Sequence, residues 1–132
     1  IGFGGSAAET DRPRAYSINR AALKDRWFKG TGFKASSKLR DAVGYEWDSI
    51  QPGCNTPKLK VFFEYQGLDK YGAATTAEAV RYVAPSGARV FSSGSLQWVW
   101  ALDRSYGHRA AGPNPRLRRF MKNALVALTA KH

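Results

Sequence analysis

Cysteine is almost missing from this chain: Cys54 stands alone among 132 residues. A lone thiol excludes an internal disulfide and leaves either a free thiol or an interchain bridge. It also excludes a thiolate metal centre made by this chain by itself. Histidine is nearly as scarce, with only His108 and His132, so a histidine-rich metal cluster is excluded too. No metal ligands are therefore assigned to the chain. No apolar run approaches the roughly 18 residues of a membrane-spanning helix. Internal repeats and low-complexity tracts are absent, and so is the Gly-x-Ser-x-Gly pattern of a nucleophile elbow. Without that elbow, Ser95 is not read as a nucleophile. The chain opens on Ile1 rather than methionine, which reads as a processed product or a fragment, and no targeting signal marks a compartment.

Acidic residues are also in short supply. Ten Asp and Glu face 21 Lys and Arg, a net charge of +11 and a pI near 10.2. Such an excess is either a solvated basic surface or the mark of an anionic partner: nucleic acid, an acidic lipid surface or an acidic subunit. What is plentiful is apolar: 43% hydrophobic and 13% aromatic residues describe a globular chain, not a disordered one.

The organising stretch runs from Ala84 to Asp103. Pro85-Ser86-Gly87 is turn chemistry, and Ala88 to Ser92 reads as a short core strand around Val90 and Phe91. Gly94 permits a sharp fold, and Ser95 is placed to cap the next helix. Leu96 to Leu102 is apolar nearly all round, which predicts a helix buried on both sides. Upstream, residues 1–14 read as a flexible arm or cut linker, and residues 15–132 as the carboxyl-terminal part of one α/β domain. Asn19 or Ser17 is expected to cap a short helix through Phe28. Lys34 to Arg40 reads as a connection, and Ala42 to Tyr45 as a strand delivering Glu46 and Asp48 at its end. Lys58 to Tyr65 and Ala79 to Val83 predict an antiparallel ribbon joined by a loop over Gly67 to Ala77. In that ribbon Phe62 interrupts the polar side. Asn114 and Pro115 open the clearest helix, with Leu117, Phe120, Met121, Ala124, Leu125 and Leu128 on one stripe and Arg116, Arg118, Arg119 and Lys122 opposite. Lys131 and His132 favour its negative end.

Three blocks carry a resemblance. Trp27-Phe28-Lys29-Gly30-Thr31-Gly32-Phe33, then Val43-Gly44-Tyr45-Glu46-Trp47-Asp48, then Pro85 through Trp98, stand in an order that resembles the carboxyl-terminal part of the large subunit of N,N-dimethylformamidase and its relatives. The closing helix matches in kind. The resemblance implies a flavodoxin-like α/β sandwich similar to class I glutamine amidotransferases, completed by another chain or segment. It further implies hydrolysis of a small amide at a mononuclear iron held by two tyrosines and a glutamate. Those iron ligands are expected upstream of Ile1, in the partner segment.

Glu46 is the candidate general base, because ligands of open α/β sheets bind beyond the carboxyl ends of strands. Its neighbours Tyr45 and Trp47 are expected to exclude water from it. The competing reading is a structural carboxylate paired with Arg40 or Arg89. Asp48 is a candidate substrate-binding residue, or else caps the following loop. The turn through Gly94 and Ser95 is a candidate substrate-binding cradle for an anion or oxyanion, or a tight packing corner. Cys54 lacks an adjacent histidine, and His108 reads as a surface residue in a loop with Arg104 and Arg109. Three functions follow. The first is part of an amide hydrolase working with a larger or acidic chain. The second is a basic module for polyanions, with Phe62 and Tyr71 as exposed aromatics. The third is a non-catalytic scaffold that keeps the fold. Dispersed basic residues and the lack of an RRM, KH or helix-turn-helix signature speak against nucleic acid.

Overall fold

Short connections decide the architecture. Antiparallel neighbours need only a tight turn, whereas parallel strands need a crossover of a dozen residues or more. The computed structural model of the chain describes residues 2–7, 14–53, 58–69, 71–103 and 112–130. In it, β1 (Gly2–Ala7) pairs with β4 (Tyr45–Ser49) as a two-stranded ribbon. A curled five-stranded sheet takes the order β3 (Lys38–Val43), β2 (Arg14–Ile18), β5 (Lys60–Leu68), β6 (Ala74–Val83), β7 (Arg89–Ser92). Every described pair is antiparallel. The class is mixed α and β, but the parallel sheet of a flavodoxin-like sandwich is not what these strands build. Residues 2–7, read from composition as part of an arm, run here as a strand.

The predicted ribbon of β5 and β6 is present and longer than expected. The Asp69 carboxylate accepts from the amides of Tyr71 (2.8 Å) and Ala73 (2.9 Å), closing the turn at once. The loop expected over Gly67 to Ala77 therefore shrinks to its tip. Phe62 is the extra residue of a bulge: Val61 faces Val80 and Phe63 faces Ala79, leaving Phe62 unpaired between them. The bulge breaks the alternation and buries Phe62 and Phe63 together. Phe62 is thus a core residue, not an exposed aromatic, while Tyr71 is exposed at the hairpin tip.

The strand expected over Ala42 to Tyr45 is two strands meeting at Gly44, and Lys38 to Arg40 belongs to the first of them rather than to a connection. The helix expected through Phe28 is a pair of 3-10 turns, Arg20–Lys24 and Arg26–Phe28, capped by the side chains of Asn19 and Asp25. β7 is an edge strand and only half-buried.

The segment Leu96–Ala101 is also a 3-10 helix. At three residues per turn, positions three apart share a face. Trp98 and Ala101 therefore point inward, while Leu96 is 60% and Val99 44% exposed. The expectation of burial on both sides fails for that reason.

α1 (Pro115–Thr129) starts where the sequence places it. Pro115 needs no amide partner, and Asn114 Oδ1 accepts from the amides of Arg116 (3.0 Å) and Leu117 (3.2 Å). Its buried stripe is Leu117, Phe120, Ala124 and Ala127, with Met121 and Leu128 partly covered and Leu125 exposed. Asn123 Nδ2 ties the helix to the carbonyls of Trp27 and Lys29, both at 2.9 Å. At the far end the Arg89 guanidinium donates to the carbonyls of Ala127 and Ala130, a cation at the negative pole of the helix. Phe120 then sits among Trp27, Phe28, Phe62, Phe63, Phe91 and Trp98, with ring centroids 5.0–6.4 Å away. Cys54, His108, Lys131 and His132 lie outside the described residues.

Candidate functional site

The site is built on one corner. Gly44 ends β3 and lets the chain leave the five-stranded sheet for the ribbon of β1 and β4. Ser95 holds that corner from across the fold: its hydroxyl accepts from the Gly44 amide (3.0 Å) and donates to the Gly44 carbonyl (3.2 Å). The same hydroxyl accepts from the Gln97 amide (3.3 Å), so it caps the 3-10 helix as well. Trp47 and Ser95 form an antiparallel bridge, and the Asp48 amide donates to the Gly94 carbonyl (3.0 Å). These bonds bring the four residues chosen from sequence, Glu46, Asp48, Gly94 and Ser95, into one place.

Glu46 and Asp48 are two apart on β4 and so share a face. They line a pocket of about 90 Å³ with Trp47, Ser93, Ser95 and Leu96. That is room for a handful of waters or one small polar molecule. Glu46 is exposed, contrary to the expected exclusion of water. Strand geometry explains the difference: Trp47 faces away from Glu46, into the core, where its indole donates to Thr75 Oγ1 (3.1 Å). Nor does Glu46 pair with Arg40 or Arg89. A carboxylate that does pair with basic residues in this fold is Asp25, with Lys60 and Arg81.

Beneath the pocket lies Tyr16, which the sequence reading did not single out. Its hydroxyl donates to the Ser93 carbonyl (3.1 Å). Burial raises this phenol above its ordinary pKa, and the negative charges of Glu78 and Asp48 push it the same way. Tyr16 therefore stays protonated and keeps donating to the turn. Glu78 in turn accepts from the Ile50 amide (3.0 Å), fixing the end of β4. Tyr16 and Ser93 are 77 residues apart, so no local pattern could have joined them.

The turn engages several of its own amides. Gly94 N donates to Ser92 Oγ (3.3 Å), and Trp98 N to the Ser95 carbonyl (3.3 Å). With Gln97 N on Ser95 Oγ, three amides of the turn are thus engaged within it, and Gly94 and Ser95 help to hold the pocket wall. Gly94 has φ +68°, and a Cβ there would overlap the Glu78 carbonyl and meet Tyr16 Oη at 3.0 Å. Gly94→Ala should therefore destabilise the chain by about 2–3 kcal/mol, the usual scale for enforced backbone strain. Thermal unfolding compared with Ser93→Ala, which adds no Cβ, will check this; equal stability of the two variants would refute it.

Two of the described tyrosines are engaged within the fold. Tyr16 is kept neutral, and Tyr65 Oη accepts from Arg14 Nε (3.2 Å). No group of three or more His, Cys, Asp or Glu able to hold a metal occurs among the described residues. No described helix is long and apolar enough to cross a membrane.

Fold and site together define a small antiparallel domain plugged by one helix, with a shallow carboxylate-lined pocket at a strand corner. The chain belongs to the family described as N,N-dimethylformamidase beta subunit-like, C-terminal, whose sequence model matches residues 1–111. The match carries the family expected from the three blocks, but as a beta subunit-like domain. It supports neither a large-subunit nor a glutamine amidotransferase-like assignment. It also begins at residue 1, ahead of Trp27, and ends before α1. Neither a curated protein nor a solved structure matches the chain.

Proposed function

We propose that this chain works as a subunit or carboxyl-terminal part of a dimethylformamidase-like amide hydrolase, offering Glu46 and Asp48 to a site that a partner segment completes. The observation that carries this reading is the placement of both carboxylates on one face of β4, at an open pocket, in a chain of this family. An exposed, shallow pocket suits a shared site better than a self-contained one, which would bury most of its ligand. The +11 charge suits a larger or acidic partner. In this reading any flavodoxin-like layer belongs to the partner segment.

Among the described residues no activated serine or cysteine faces the pocket, so water attacks the amide carbonyl. Glu46 takes a proton from that water as the carbon–oxygen bond forms. The proton then passes to the amine as the carbon–nitrogen bond breaks, leaving a carboxylic acid and an amine. Asp48 accepts a hydrogen bond from the substrate or the attacking water. Ser95, Gly94 and Tyr16 act at one remove, by holding the corner on which both carboxylates stand.

Glu46→Gln keeps the shape and removes the base. In the assembled complex it should lower turnover about 100-fold or more, within the range for loss of a general base. Because the side chain is exposed, the melting temperature and the partner content of the complex should not change. Full activity in Glu46→Gln would remove the catalytic reading of this chain and leave the scaffold.

A further inference from the structure

A second cavity, about 310 Å³ in volume, shares no lining residue with the Glu46 pocket. Its walls bring together Lys38 and Arg40 from β3 and Arg116 from the first turn of α1. Its floor is apolar, with Phe33, Ala101 and Pro113. Among the described residues, no carboxylate lines it. Lys38 Nζ donates to Ser17 Oγ (2.5 Å), and Arg116 to Ser37 Oγ (3.4 Å), so two of the three cations rest on neutral hydroxyls. Packing alone does not select this arrangement. Like charges around one cavity repel, and the first turn of a helix prefers acids, yet α1 opens with Arg116, Arg118 and Arg119. The helix amides do not make the site either, since Asn114 already takes those of Arg116 and Leu117. What remains is a concave, apolar-floored space with three basic residues in its lining. Its volume falls at the lower end of the range for small-ligand pockets.

We propose that this cavity binds a small organic oxyanion: a carboxylate or phosphate monoester head on a compact apolar body. The guanidinium groups of Arg40 and Arg116 meet the head, with Lys38 as a third positive charge, and the body lies on Phe33 and Pro113. The site is independent of the amide-hydrolase reading.

Calorimetric titration of the full chain with phenyl phosphate and with benzoate tests the proposal, with inorganic phosphate and heparin as comparators. One organic anion should saturate a single site more tightly than inorganic phosphate, and the tighter of the two identifies the head group. Arg40→Gln with Arg116→Gln should weaken that binding about 10-fold or more, the scale of losing charge-assisted hydrogen bonds. Lys122→Gln, on the exposed side of α1, should leave it unchanged. In the unaltered chain, the bound anion should slow phenylglyoxal labelling of Arg40 and Arg116 but not of the exposed Arg26, a readout that does not depend on the variants folding. The proposal is overturned if neither organic anion saturates, if Lys122→Gln loses as much as the double variant, or if only heparin binds. That last result, with steep salt dependence, would assign the charge to a polyanion surface instead.

Discussion

Phe120→Ala is expected to lower the unfolding free energy by about 3–5 kcal/mol, the range for deleting a large buried aromatic. The side chain has no exposed surface and is the point where α1 enters the aromatic cluster. Its ring meets residues from the Arg26–Phe28 turn, from β5 and β7, and from the 3-10 helix. Removing it opens a void that no single neighbour fills, because the surrounding rings are held by four different elements. Urea unfolding monitored by tryptophan fluorescence is the measurement, and Trp27 and Trp98 report directly, since both pack on Phe120. Phe120→Leu, which refills most of the volume, should recover a large part of the loss. A loss below about 1 kcal/mol for the alanine variant would mean that α1 is not an integral part of the core.

Asp25→Asn is expected to cost about 3 kcal/mol, near the low end for breaking a buried charge pair. Lys60 and Arg81 stand directly opposite each other on β5 and β6, an arrangement that repels by itself. Asp25 resolves it: one carboxylate oxygen meets Lys60 Nζ at 3.1 Å and an Arg81 nitrogen at 2.6 Å. Its side chain is only 4% exposed, against 23% for Arg81 and 52% for Lys60. Lys60 can turn to water when the charge is lost, but Arg81 is stacked over Trp27 (5.3 Å) and Phe62 (5.7 Å) and cannot leave without disturbing them. Asparagine keeps an oxygen for the Trp27 amide, so the variant isolates the charge from the cap.

The same carboxylate predicts a pH dependence. Burial raises the pKa of Asp25, but the Trp27 amide and the Lys60 and Arg81 charges outweigh it and hold the group below its ordinary value. The folded chain then binds its proton less readily than the unfolded one. The stability Asp25 contributes is complete above the ordinary carboxylate range, near pH 4, and is lost as pH falls through the lowered value. The stability difference between the parent chain and Asp25→Asn should therefore be constant near neutrality and shrink below about pH 4. A difference that persists undiminished at pH 2 would contradict the charge assignment.

Local signals were strong where one residue type settles one question. Asn114, Pro115 and the stripe through Leu117 and Phe120 mark α1 because capping and helical spacing act within a turn. Asn19 and Ser95 cap the segments they precede for the same reason. The ribbon of β5 and β6 is visible as two nearby runs of alternating residues. Glu46, Asp48, Gly94 and Ser95 could be singled out one by one from their turn and strand contexts. Their meeting could not, because it rests on the Trp47–Ser95 bridge between distant stretches.

Long-range pairing decided the rest. Alternation cannot distinguish a strand that continues from one that turns a corner, so β3 and β4 merged into one until Gly44 met Ser95. A row of apolar residues does not say whether the helix repeats every three or four residues. That choice buried Trp98 and exposed Leu96 and Val99. Excess positive charge is countable in the sequence, but its convergence on one cavity is not: Lys38 and Arg40 approach Arg116 only once α1 has packed against the sheet. By itself the sequence determined which segments are apolar, where helices are capped, which carboxylates stand near turns and what family the chain resembles, since each depends on neighbours along the chain. Which strands pair, which faces are covered and which charges share a pocket were decided by tertiary structure, because those energies arise only between residues that folding brings together.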